Sequence, residues 1–180
     1  MGLRYAIAAA LWIGWVLPFV HKFAGPREKA VVKDPNARWG IILQGVAYGI
    51  MWGVPAILVP VWRIALGLLF GAAGIIITRL AVRHLDKQWR FDAALSANHT
   101  LVRTGPYLLV RHPIYAGMFA MLLAAGLLLA QWPVLIAGIV IFVVGTEIRV
   151  RSEEKLLRSR FGEEFETYSR QASAYVPFIR

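Results

Sequence analysis

Five apolar stretches limit what this chain can become. They run over about Tyr5–Val20, Trp39–Val59, Ile64–Thr78 (extendable to Val82), Ile114–Ala130 and Val134–Ile148. A bilayer crossing takes about 20 residues of helix. The shorter stretches therefore call for tilt, local thinning or snorkelling by flanking arginines. Hydrophobic residues make up 58% of the 180 and charged ones only 17%, which is too apolar a balance for a soluble domain. The expected fold is an all-α integral membrane domain over 1–180, with about five transmembrane helices.

Two links between stretches are tight, Val59-Pro-Val-Trp-Arg63 and Gln131-Trp-Pro133, so each joins neighbouring antiparallel helices. Trp62 and Trp132 fit an aromatic belt at one interface, and Trp39 and Trp89 at the other. Charge sets the orientation. Of 20 Lys and Arg residues, all but Arg4 and Arg63 lie in the segments after the first and third stretches and in the tail. Cytoplasmic loops hold such an excess, so the amino terminus is expected outside and the carboxyl terminus in the cytoplasm of a bacterial inner or cell membrane. An odd number of spans agrees.

The net charge of +10 sits beside apolar segments, where it suits anionic lipid headgroups and not nucleic acid. No cysteine is present, which removes disulfides, thiolate metal sites and a cysteine nucleophile. His21, His84 and His99 have no companions at metal-ligand spacing, so no metal is expected. Arg4 and the apolar run after it have a signal-peptide look, but Trp12, Trp15 and Pro18 inside the run and Phe23-Ala24-Gly25 after it are poor cleavage features. Small residues such as Gly67, Gly71, Gly74 and Gly117 suit close helix packing.

The tail reads differently. Leu157, Phe161, Phe165 and Tyr168 follow helical spacing among arginines and glutamates, which predicts a C-terminal amphipathic cytoplasmic helix. Gly162 is expected to interrupt it and Pro177 to end it.

The chemistry-bearing residues flank the last two stretches. Gly105-Pro106 makes a turn, Tyr107 and Tyr115 offer flat faces, and Arg111-His112-Pro113 opens a helix. The backbone N–H groups there suit an anion, while the plainer account of the triplet is a helix start with a snorkelling arginine. Next come Arg149, Glu153 and Glu154. Arg149 and Glu153 are spaced for a helical ion pair, as are Glu147 and Arg151. Alternatively Arg149 clamps a carboxylate. The adjacent glutamates are expected to point apart and do different jobs, such as accepting from a ribose diol or offsetting a bound cation. Ionisable clusters at the edge of apolar spans mark a site.

Gly105-Pro-Tyr-x-x-x-Arg-His-Pro-x-Tyr-x-Gly117, Arg149-x-x-x-Glu-Glu-x-x-Leu and Phe161-Gly-x-x-Phe-x-x-Tyr168 together resemble the isoprenylcysteine carboxyl methyltransferase family, over about Leu101 to Phe178. Phe165 departs from the tyrosine common in relatives. The resemblance implies an S-adenosylmethionine-dependent membrane enzyme. Tyr107, His112, Pro113 and Tyr115 would line the cofactor site, and Glu154 would hold the ribose or adenosine portion. Arg149 and Glu153 would lie near the transferred methyl. It divides the chain into three amino-terminal spans over 1–83 and a catalytic half over 84–180.

The implied acceptor is a lipophilic small molecule or lipid-modified substrate arriving through the bilayer, with membrane lipids as the surroundings. A carboxylate acceptor is already deprotonated near neutral pH and requires no base. Three other readings stand beside this one. They are N-methylation of a phospholipid amine with Glu153 as base, a sterol-type reductase using NADPH, and a non-catalytic membrane scaffold.

Overall fold

A computed structural model describes residues 2–24, 30–90, 92–96 and 98–175. Among the described residues six α-helices follow in order: α1 Gly2–Ala24, α2 Ala37–Gly53, α3 Val61–Leu85, α4 Pro113–Leu129, α5 Trp132–Phe161 and α6 Glu163–Gln171. Strands β1 (Ala30–Lys33) and β2 (Ala94–Ser96) pair antiparallel, an addition to the all-α expectation. That pairing ties the α1–α2 connection to the α3–α4 connection. Helices α1, α3 and α5 are long and apolar enough to cross a membrane, and α4 is apolar but shorter.

Helix α2 ends at Gly53, six residues before the expected boundary at Val59. Pro55 lacks an N–H and drives Val54 before it out of the helical region, to φ −126° and ψ 81°. The chain then crosses beneath α4, where the Ala56 N–H donates to the Leu129 carbonyl at 2.6 Å. Pro60 next precedes the start of α3.

Helix α4 lies at the centre, packed on α3 along one side and touching α1, α2 and α5. Gly74 and Gly117 let α3 and α4 close together, since a Cβ on Gly74 would meet the Gly117 carbonyl at 2.9 Å. A second close pair joins α2 to α5, with Gln44 Nε2 donating to Thr146 Oγ1 at 2.8 Å beside Gly40 and Gly145. On α1, Trp15 Nε1 donates to Thr78 Oγ1 at 2.9 Å, and Phe19 packs on Trp89. Trp89 is thus buried in the core and not in an interfacial belt, whereas Trp39 is exposed. Trp62 and Trp132 stack at 6.0 Å and are half exposed.

The two arginines expected on the outer side do not snorkel; both are buried. Arg4 Nη2 donates to the Ala56 carbonyl at 3.0 Å. Arg63 Nη2 donates to the carbonyls of Gly126 and Ala130 at 2.9 and 2.6 Å, and its guanidinium lies 4.8 Å from the Trp132 ring. Arg63 thereby satisfies the Ala130 carbonyl past the end of α4 and adds a second donor to that of Gly126, which also accepts from the Ala130 N–H at 3.0 Å.

At the other end α5 outruns its apolar portion and carries Arg149, Glu153 and Glu154 out on one continuous helix. Gly162 then turns the chain at φ +51°, where a side chain would be strained. Helix α6 folds back and buries Phe165 and Tyr168 against Leu101, Leu157 and Phe161. Pro177 and Phe178 lie outside the described residues.

Candidate active site

Four elements meet at this charged end. A 3₁₀ turn over Gly105–Leu108 opens with Gly105 at φ +59°, where a Cβ would collide with the His84 ring. That turn buries Tyr107, whose carbonyl accepts from Tyr168 Oη of α6 at 2.6 Å. His112 caps α4, with Pro113 at the first helical position, where its missing N–H costs nothing. Tyr115 follows within the first turn, and α5 supplies Arg149, Glu153 and Glu154 one turn apart.

The glutamates share one partner, because both reach His112. Glu154 Oε1 lies 3.2 Å from Nε2 and Glu153 Oε2 lies 3.6 Å from Nδ1. Beyond that contact they differ. Glu153 accepts from the Tyr115 hydroxyl, and Arg149 Nε donates to that same hydroxyl at 2.7 Å. The Arg149 guanidinium sits 5.3 Å from the Tyr115 ring and only 3.7 Å from the Glu153 carboxylate. The helical ion pair is therefore loose, and Tyr115 is inserted into it.

Glu154 instead accepts from Arg111 Nε at 2.9 Å and Arg158 Nη2 at 3.1 Å. Arg111 is not a snorkelling residue. It is a mostly buried ion-pair partner that also donates to the carbonyls of Ser169 and Ala172. The backbone N–H groups expected to face an anion are engaged too. That of Arg111 donates to Ser173 O at 2.8 Å and that of His112 to Ala174 O at 3.1 Å. Glu147 pairs with Arg151 at 2.8 Å and also accepts from Tyr175 Oη.

Electrostatics follow from this packing. Burial pushes the Glu154 carboxyl up, but His112 and Arg111 outweigh it and bring it down to about 2. Burial likewise raises Glu153, and His112 and Arg149 turn the balance downward. Burial alone would lower His112, but Glu153 and Glu154 reverse that and raise it.

A cavity of about 440 Å³ opens beside these groups. Tyr107, His112, Tyr115, Arg149 and Glu153 line its charged end, and Trp12, Trp15, Phe19, Tyr48 and Met118 its apolar body. Pro113 and Glu154 stand behind this lining, not on it. Sequence reasoning missed the walls from α1 and α2, which carry no motif. It also missed Arg158 and Tyr175, whose partners lie on other segments. Arg111 was in plain view inside the motif.

An integral-membrane helical bundle with an ion-pair cluster at one end of an apolar cavity defines the class. The phospholipid methyltransferase family model matches residues 62–164, more than half of the chain, and the chain belongs to that family. The chain is also similar to the protein-S-isoprenylcysteine O-methyltransferases of Schizosaccharomyces pombe and Saccharomyces cerevisiae, at 34% and 35% identity over 83 residues. Those alignments cover 46% of this chain and 35% of each yeast protein. The fold is shared with the eukaryotic intramembrane Ras methyltransferase, isoprenylcysteine carboxyl methyltransferase, at a TM-score of 0.69 and 19% identity. That superposition covers 99% of this chain and 66% of the other. The resemblance read from the motifs is borne out.

Proposed function

We propose that this chain moves a methyl group from S-adenosylmethionine to the carboxylate of a lipophilic acceptor of the isoprenylcysteine type. It does so in a membrane crossed by α1 to α5, with the α6 end in the cytoplasm. One observation carries the reading: Arg149, Glu153, Tyr115, His112 and Tyr107 line a cavity whose other walls are mostly aromatic and apolar. Such a cavity suits a ligand with a charged head and a greasy tail.

The donor set fits the methyl donor. Glu153 offers an anionic wall to a cationic group, and Tyr107, His112 and Tyr115 offer flat faces to an adenosyl portion. When bound, S-adenosylmethionine supplies a methyl group on a positively charged sulfur. Arg149 draws the acceptor carboxylate with a planar fork that lysine lacks. Tyr115 holds that fork by its Nε. A carboxylate needs no base, so the residues' work is alignment and exclusion of water. Pro113 and Glu154 act from behind, Pro113 by starting α4 and Glu154 by holding the His112 ring.

An amine acceptor is less well served. It would require a base, and Glu153 is already bonded to Tyr115 and held below the ordinary carboxylate range. Arg149 would also repel an ammonium. The test is titration calorimetry of the detergent-solubilised protein with S-adenosylmethionine, its demethylated product and NADPH. Transfer of labelled methyl to an S-prenylated cysteine is then compared with transfer to phosphatidylethanolamine. Binding of the adenosyl compounds and labelling of the prenylcysteine are expected. Binding of NADPH alone, or labelling of the amine alone, would overturn the reading.

A further inference from the structure

Helix α2 carries no chemical motif, yet its bare face meets the side chain that the proposed reaction depends on most. A Cβ built on Gly40 would collide with the Gly145 carbonyl oxygen and with Cγ of Arg149, and would lie 3.3 Å from the Arg149 backbone nitrogen. Cγ belongs to the stem of the side chain, close to the helix, and cannot swing aside as a guanidinium tip can. One turn along α2, Gln44 is hydrogen-bonded to Thr146 in the buried interface. Helix α5 is therefore held in rotation at Thr146, and the Arg149 stem leaves it through the space that Gly40 keeps open. The head is then received by Tyr115 Oη at 2.7 Å.

We infer that Gly40 is a positioning residue: it sets the stem of Arg149 so that the guanidinium meets Tyr115 and the cavity. The inference rests on the proposed methyl transfer for its functional meaning, but the placement of Arg149 is a physical claim that stands or falls alone. Within the cavity the walls of α2 then do two things. Tyr48 and Gln44 face the ligand space, and Gly40 aims the residue that receives the acceptor's head.

Gly145 supplies the control. It lies at the same helix crossing, and a Cβ there would meet Leu43 Cβ at 2.8 Å and Gly40 O at 2.9 Å, with no atom of Arg149 among its nearest neighbours. The experiment compares Gly40→Ala with Gly145→Ala in the full chain. The readouts are the ¹⁵N–H resonance of Arg149 Nε, identified by its loss in Arg149→Lys, with donor affinity and turnover.

The expected result is a displaced Nε–H resonance in Gly40→Ala only. Turnover in that variant should fall about a hundredfold, the scale of an ångström misplacement, with donor affinity kept. An unmoved resonance in Gly40→Ala overturns the inference, and so does an equal shift in both variants. If the wild-type chain transfers no methyl group, the proposed function fails while the resonance still judges the positioning. Should Gly40→Ala not fold, the double variant with Arg149→Ala decides. Recovered folding supports the stem contact. Because the Gly145 carbonyl clash persists in the double variant, continued failure passes the decision to a nuclear Overhauser effect between the Gly40 Hα and Arg149 Hγ protons of the wild-type chain, whose absence overturns the inference.

Discussion

Each end of this bundle encloses two arginines, all buried except the partly exposed Arg111, and the ends use them in opposite ways. At one end Arg4 and Arg63 bond to backbone carbonyls of the Pro55–Pro60 link and of α4, with an indole face against Arg63. At the other end Arg111 meets a carboxylate and Arg149 a tyrosine hydroxyl and a carboxylate, and both carboxylates also reach His112. A carbonyl partner fixes a position and cannot titrate. Carboxylate, imidazole and hydroxyl partners hold charge that a ligand can exchange for. The first pair serves the fold, and the second is free to serve chemistry as well.

The largest expected effect breaks the structural end. Arg63→Met strips the side-chain donor from the Ala130 carbonyl and leaves that of Gly126 with the Ala130 N–H alone, which should cost on the order of 2 kcal/mol. The measurement is thermal unfolding in detergent, and donor affinity in the protein that remains folded should be unchanged. A stability loss below about 1 kcal/mol would make Arg63 a passenger.

Arg149→Lys is the mirror experiment. Lysine loses the planar fork that spans Tyr115 and Glu153, so turnover should fall about a hundredfold. Donor affinity and melting temperature should move little, and full activity would remove Arg149 from the chemistry. Glu154→Ala should have a smaller effect than either. It leaves Arg111 and Arg158 without their shared carboxylate, and donor affinity should weaken about tenfold through a loosened His112. An unchanged calorimetric isotherm would reject that link.

The smallest effect concerns pH. His112 is raised above its ordinary 6.5, so its contribution is complete below that value and fades as pH climbs through the folded-state value. Glu154 is lowered from 4.5 to about 2, so its contribution is present above 4.5 and lost only in strong acid. Wild-type stability should therefore decline on the alkaline side of pH 6.5, and His112→Gln should flatten that decline. Arg63→Met should leave its slope intact.

The apolar stretches were legible because burial in lipid demands long runs, and the charged motifs because charge beside such runs is conspicuous. The end of α2 was not, since Val54 to Val59 is as apolar as the helix before it and only Pro55 betrays the break. The β1–β2 pairing joins segments far apart in sequence and too short to show alternation. Gly40 looked like any small residue in an apolar helix. Its meaning depends on Arg149 of another helix, and spacing within one segment carries no trace of that. Trp89 misled for the same reason: an indole near a basic loop reads as interfacial until Phe19 is found against it.

The pairing of Arg111 and His112 with Ser173 and Ala174 also works as a latch. Were α6 and the residues after it, through 175, drawn away, α4 and α5 would keep their contacts with the other helices. Arg111 would then lack the carbonyls of Ser169 and Ala172, and Tyr107 would lack Tyr168. The charged end would stand unlatched on an otherwise complete bundle. The ordering of this one short segment is therefore part of assembling the cluster, and whatever holds α6 down also holds the charged groups in register.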